Sequence, residues 1–181
     1  LKFNDPNNLF LIDGSGYIFR AFYGLPSMSN NDGIPVNAVF GYTKMLLKLI
    51  DDFKPIYVAV IFDVARKTFR NDLYDLYKAN RSDPPDELIP QFSIIRDATN
   101  AIGLPVVEME GYEADDLIAT YSDIASKMNK NVIIVSSDKD LMQLVDQNTI
   151  LFDPMKQFWI NDDKVFEKFG VYPNKVCLLY T

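Results

Sequence analysis

The 181-residue sequence has no histidine and a single cysteine, Cys177. Without histidine there can be no Ser-His or Cys-His nucleophile, no imidazole general base and no His-ligated zinc. One cysteine excludes an internal disulfide and suits a reducing cytoplasm, the expected location. No apolar run approaches the ~20 residues of a membrane span, and no leader pattern opens the chain, so no membrane partner is expected. The first residue is Leu1, as expected of a piece cut from something longer. Chemistry is therefore left to carboxylates, Lys, Arg, Tyr or Ser. Acids are in excess, with a formal charge of −7. Taken globally, that argues against a nucleic-acid partner. Seven acids singled out below equal the whole excess, so local distribution decides the matter.

Those acids are Asp13, Asp63, Glu113, Asp115, Asp116, Asp138 and Asp140. Leu9-Phe10-Leu11-Ile12 leads to Asp13, and Tyr57-Val58-Ala59-Val60-Ile61-Phe62 leads to Asp63. Val132-Ile133-Ile134-Val135 leads through Ser136-Ser137 to Asp138 and Asp140, while Glu113, Asp115 and Asp116 open a helix. Short apolar runs rich in β-branched residues read as buried parallel strands. The order expected is strand 9–13, helix 15–23, helix 36–53, strand 56–63, helix 86–102, strand 104–107, helix 113–128, strand 132–136, short helix 139–145, strand 149–153 and helix 162–169. That alternation implies one α/β domain, a central, mostly parallel sheet with right-handed crossovers. Ligands of such sheets bind at the carboxyl ends of the strands, where these acids gather.

Each acid alone has a plain structural use. Asp13 and Asp138 could cap helices, and Glu113, Asp115 and Asp116 suit a first helical turn. As a set they need something more. Carboxylates ~4 Å apart repel by roughly 4 kcal/mol at an effective dielectric near 20, which bound cations or shared protons relieve. Hard oxygen donors point to Mg²⁺ or Mn²⁺. A phosphatase with an aspartyl nucleophile would want a second Asp two residues after the first. Asp13-Gly14-Ser15 and Asp63-Val64-Ala65 lack it.

Residues 64–85 are basic and aromatic, ending at Pro84-Pro85. Read as a helix over 66–81, Arg66, Arg70, Tyr74, Tyr77, Lys78 and Arg81 share an arc of about 120°, with Asp72 and Asp75 on the far side. Such a face suits a single-stranded backbone with bases to stack on; a solvated helix face is the alternative. The sequence leaves the helix's continuity open. The basic face is expected to have nothing to pack against without a ligand.

Asp13-Gly14, Phe62-Asp63, Tyr77-Lys78-Ala79-Asn80-Arg81, Gly111-Tyr112-Glu113-Ala114-Asp115-Asp116 and Ser137-Asp138-Lys139-Asp140-Leu141 stand in an order and spacing that resembles a known family. This is the N-terminal 5′→3′ exonuclease domain of bacterial DNA polymerase I, a flap-endonuclease family with a PIN-like fold. The resemblance covers residues 8–175. It implies a three-layer PIN-like domain with a basic helical arch, acting as a monomer on DNA with a 5′ end or flap. It implies that the seven acids hold two divalent cations that activate water against the phosphodiester. It further implies that Lys78, Arg81 and Arg20 neutralise the scissile phosphate, and that Arg66, Lys67, Arg70, Tyr74, Tyr77, Lys78 and Arg81 face DNA.

The family pattern continues past Val176 into Gly-Asp-x-x-Asp-Asn and a helix-hairpin-helix. Here the residues are Cys177-Leu178-Leu179-Tyr180-Thr181. The expectation is one domain over 1–181 without the hairpin, one cation kept near Asp63, Asp116 and Asp138, and a weaker second site. A catalytically weak DNA-binding remnant is the alternative.

Overall fold

The structure is a computed structural model that describes residues 3–64, 67–80 and 82–180. Strands β1 (Asn8–Asp13), β2 (Tyr57–Ile61), β3 (Val106–Val107), β4 (Asn131–Val135), β5 (Thr149–Asp153) and β6 (Phe158–Ile160) form one sheet in the order β3-β2-β1-β4-β5-β6. All pairs are parallel except β5–β6. The chain builds outward from β1 through β2 to β3, then returns to the other side of β1 as β4. The strand order thus reverses between β1 and β4, the place where open α/β sheets bind ligands.

Side chains alternate across the sheet, as the period of two requires. Phe10, Ile12, Val60, Ile133 and Val135 pack on one face with helices α1 (Gly14–Gly24), α2 (Asn37–Phe53) and α4 (Ile89–Ile102). Leu11, Ile61, Val132 and Ile134 pack on the other with α5 (Ala114–Lys127), the 3-10 helix Asp140–Leu144 and α6 (Asp162–Phe169). The result is the three-layer α/β architecture expected. Close approach is decisive at Gly14. A Cβ there would lie 2.4 Å from Phe62 Cε1 and 2.9 Å from the Ile61 carbonyl oxygen, so α1 can leave β1 tight against the end of β2.

Two features differ from the sequence reading. First, β6 is a short antiparallel edge strand. The turn before it is built by Asp153, whose carboxylate accepts the N–H groups of Met155 and Lys156. Three strand residues after Pro154 give too short a pattern to register. Second, the segment after residue 66 is not one helix. Thr68 and Asn71 form a capping box that starts α3 (Phe69–Leu73). Tyr74 then turns extended, with φ −149° and ψ 102°, and Lys78 is left-handed at φ 55°. Helical-wheel angles therefore do not apply beyond Leu73. Among the described residues, no helix is long and apolar enough to cross a membrane.

Candidate active site

Asp13 ends β1 opposite Ile61 of β2. On its other side Ile12 is level with Val135 of β4, so Ser136 comes next to Asp13. The Ser136 hydroxyl donates to Asp13 Oδ2 at 2.7 Å and accepts the Asp138 N–H at 3.0 Å. Asp13 Oδ1 accepts the Gly16 N–H at 3.0 Å, so Asp13 also caps α1. Asp63, two residues past β2, accepts the Ser15 hydroxyl at 2.7 Å and the Ala114 N–H at 2.8 Å. One carboxylate thereby ties the starts of α1 and α5 to the end of β2. Arg96 braces that end, donating to the Asp63 carbonyl oxygen at 2.8 Å and to Glu108 at 2.7 Å.

Burial pushes the Asp13 carboxyl above its usual range, against the hydrogen bonds from Gly16 and Ser136, and the charges of Asp63 and Asp138 add to the rise. Asp115, in the first turn of α5, is pushed up to about 7, by burial first and then by Asp13, Asp138 and Asp63; Lys78 opposes the rise. The charges of Asp63 and Asp138 thus bear on both Asp13 and Asp115 across the carboxyl edge of the sheet. In the arrangement described, no three carboxylates among the described residues converge tightly enough to hold an ion. Asp138 is exposed and its Oδ1 accepts the Asp140 N–H at 2.8 Å. Asp140, also exposed, opens the 3-10 helix.

Glu113 and Asp116 differ. They form the capping box of α5 and are also paired to cations. The Arg70 guanidinium grips Asp116 with two bonds, 2.7 and 2.6 Å. This pairing, outweighing partial burial, holds the Asp116 carboxyl below its usual range. The Lys78 ammonium lies 2.7 Å from Glu113, and the Tyr77 hydroxyl donates to Glu113 at 3.2 Å. The Arg70 guanidinium also sits 4.7 Å from the Phe69 ring centroid and 5.8 Å from that of Tyr77. The basic face of the segment therefore has a partner, contrary to expectation: it is the N-terminus of α5. A backbone bridge pairs Thr68 with Gly111, and the Phe69 N–H donates to the Gly111 carbonyl at 2.9 Å.

The remaining site residues expected from sequence are more scattered. Lys67 pairs with Asp72 at 3.3 Å in solvent. Tyr74 is exposed. Arg20 is exposed on α1, with no hydrogen bond or ion pair among the described residues. Arg66 and Arg81 lie outside the described residues. A cleft of about 820 Å³ is lined by Ile18, Phe19, Phe62 and Phe92 and by Tyr77, Lys78, Pro84 and Pro85. Asp63 and Glu113 border it; Asp13, Asp115 and Asp138 do not. Sequence reasoning missed Ser15, Ser136 and Arg96. Hydroxyls one or two residues from a strand-end Asp were the available signal for the serines. Nothing local marked Arg96.

The family described as "5′-3′ exonuclease, N-terminal resolvase-like domain" matches residues 8–170. DNA polymerase I of Rhizobium leguminosarum is 54% identical over 178 residues, covering 94% of this chain and 18% of that protein. The 5′-3′ exonuclease of Aquifex aeolicus strain VF5 is 40% identical over 168 residues, covering 93% of this chain and 58% of that protein. The chain thus spans less than two thirds of either relative. Among solved structures, T5 5′-exonuclease with bound zinc superposes with a TM-score of 0.71 at 22% identity, covering 91% of this chain and 61% of that one. That likeness shows the PIN-like fold. Strand-end acids at the point where the sheet reverses, on this fold and with this match over most of its length, place the chain in the 5′-3′ exonuclease family, as its N-terminal resolvase-like domain.

Proposed function

We propose that the chain catalyses divalent-metal-dependent hydrolysis of a DNA phosphodiester at a 5′ end or 5′ flap. The observation that carries this reading is the crowding of Asp13, Asp63, Asp115 and Asp138 at the β1–β4 switch point, with the Asp115 carboxyl pushed up to about 7. Burial and neighbouring negative charge that raise the Asp13 and Asp115 carboxyls favour a cation among them. Family membership supports the reaction class, and a T5 flap endonuclease of like fold has been solved with DNA and metal ions.

The donor set fits Mg²⁺ or Mn²⁺, since it offers hard oxygens and neither thiolate nor imidazole. Drawn closer together, Asp13, Asp63, Asp115 and Asp138 would hold one ion; Asp140 would contribute to a second, which Glu113 and Asp116 would join only on release from Lys78 and Arg70. Held there, a divalent ion would supply an activated water and a counter-charge for the phosphodiester oxygens. Ser136 and Ser15 fix the Asp13 and Asp63 carboxylates, each through one oxygen. Lys78, at the border of the cleft, places a positive charge where a phosphate oxygen gains charge in the transition state. Arg70 and Tyr77 offer a cation and a ring to the strand entering beneath them. The chain acts as one catalytic unit, with residues from 67–80 and 82–85 lining the cleft.

The test is cleavage of a 5′-labelled flap duplex in Mg²⁺, Mn²⁺ and EDTA. Products released with either ion and none in EDTA are expected. Cleavage in EDTA would exclude the metal reading. Tight DNA binding without cleavage in any ion would leave a binding module in its place.

A further inference from the structure

A second cavity, of about 550 Å³, lies on the other flank of the acids, between the β5–β6 hairpin and α6. Three ammonium groups line it: Lys156 from the hairpin turn, and Lys164 and Lys168 from α6. The last two are four residues apart on one helix face, a like-charge spacing that weakens a helix. Their counter-ions are few. Lys168 donates to the Met142 sulfur at 3.6 Å and has no carboxylate in ion-pair range among the described residues. Burial, with the charges of Lys156 and Lys139, holds its ammonium below the usual lysine range. Lys156 comes only within 4.0 Å of Asp153, whose other oxygen is committed to Ser137 and to two turn N–H groups. Lys164 pairs with Glu167 and stands 5.6 Å from the centroid of the exposed Phe158 ring.

We propose that this lysine pocket seats a backbone phosphate of the duplex portion of a DNA substrate. The proposal rests on the reading that the strand-end acids cut DNA. Ser137, in the pocket wall, directly precedes Asp138, so the pocket adjoins the acidic centre along the chain. β5 and β6 are two and three strands from β1. At a spacing of ~4.8 Å that is ~10–14 Å from Asp13, or about three to four base pairs at 3.4 Å each. Cations would then flank the acids on both sides: Arg70 and Lys78 toward the cleft, and the three lysines toward the duplex. Lysine suits this role as a point charge for phosphate.

The experiment compares wild type with K156Q/K164Q/K168M for anisotropy of a labelled flap duplex and of a single strand, without divalent ion, from 50 to 200 mM KCl. Trp159, beside Phe158 and the only tryptophan, reports folding. The variant should bind duplex about tenfold or more weakly at 100 mM salt, with a log–log slope shallower by about 1, and bind single strand as wild type does. E167Q, which removes the partner of Lys164, should tighten duplex binding at least about twofold by the same counterion logic; it carries the test should the triple variant not fold. A duplex slope unchanged in the triple variant, equal losses for both DNAs, or no tightening in E167Q overturns the proposal. So does saturation of the Trp159 signal by inorganic phosphate or a deoxynucleoside monophosphate with duplex binding unmoved by the substitutions, which would mark a site for free phosphate. Wild type that binds neither DNA defeats the nuclease reading itself, and this proposal with it.

Discussion

Asp115 faces Asp13, Asp63 and Asp138 and has its carboxyl pushed up to about 7, whereas Asp116, the next residue, is gripped by Arg70 and held below the usual range. Both lie in the first turn of α5 and both gain the same favourable dipole. The difference comes from the 100° step between them, which turns one toward acids and the other toward a guanidinium. The inner four acids are an unneutralised charge set that binding a cation would relieve. Glu113 and Asp116 are already neutralised, by residues of a segment that also borders the cleft. A position at the carboxyl edge is therefore not enough to make a ligand; what faces the carboxylate decides whether it awaits an ion or holds down a loop.

The largest effect should come from the inner set. Asp115→Asn should lower metal-dependent cleavage at least about a thousandfold, because changes to groups that merely support ligands already cost up to about 100-fold. Retention of more than a tenth of wild-type cleavage would move Asp115 out of the site. Next is Lys78→Ala, expected to cut turnover about 10²–10³-fold while DNA affinity changes little, as for a group acting on transition-state charge. An equal loss in binding with turnover intact would make Lys78 a plain phosphate contact. Ser136→Ala frees both Asp13 Oδ2 and the Asp138 N–H and should weaken Mg²⁺ affinity about 10–100-fold by calorimetry; unchanged affinity would leave Ser136 a structural hydroxyl.

Asp115 and Asp116 should also respond oppositely to pH. The folded Asp115 carboxyl sits above its unfolded value, so ionising it costs the folded state. Metal-free protein should lose stability, of order 4 kcal/mol, as pH rises from about 4 to about 7. Asp116 sits below its unfolded value, so its contribution is present above about pH 4 and is lost as pH falls further. Melting temperatures in EDTA should be lower at pH 8 than at pH 5.5, and Asp115→Asn should remove much of that difference. A melting temperature flat across this range would show the inner acids to be well solvated. The smallest effect is Lys67→Ala. Its pair with Asp72 is exposed on both sides, and stability should change by less than about 0.5 kcal/mol in a denaturant titration.

The places of Asp13 and Asp63 at the sheet edge were legible in the sequence because parallel strands buried on both faces announce themselves as unbroken apolar runs. An Asp immediately after such a run can only lie at the edge. The geometry of residues 67–80 was not legible: the left-handed Lys78 carries no glycine to mark it, and Tyr74 breaks the helix without a proline. The Arg70–Asp116 and Lys78–Glu113 pairs join residues 46 and 35 positions apart, beyond any local pattern. Ser136 beside Asp13 follows from strand register, and register follows from the packing of the whole sheet. β6 escaped for the opposite reason, being three residues with no period to read.

Gly14 carries a consequence for how this sequence can vary. With Phe62 and the Ile61 carbonyl already inside the reach of a methyl group, even alanine there has to push apart the ends of β1 and β2, and with them Asp13 and Asp63. Gly24, at the far end of the same helix, has nothing within 4 Å of its would-be Cβ. In a saturation library selected for cleavage, position 14 should return glycine alone, while position 24 should drift freely through most side chains. The narrowest constraint on the acidic centre would then fall on a residue that has no side chain and takes no part in the chemistry.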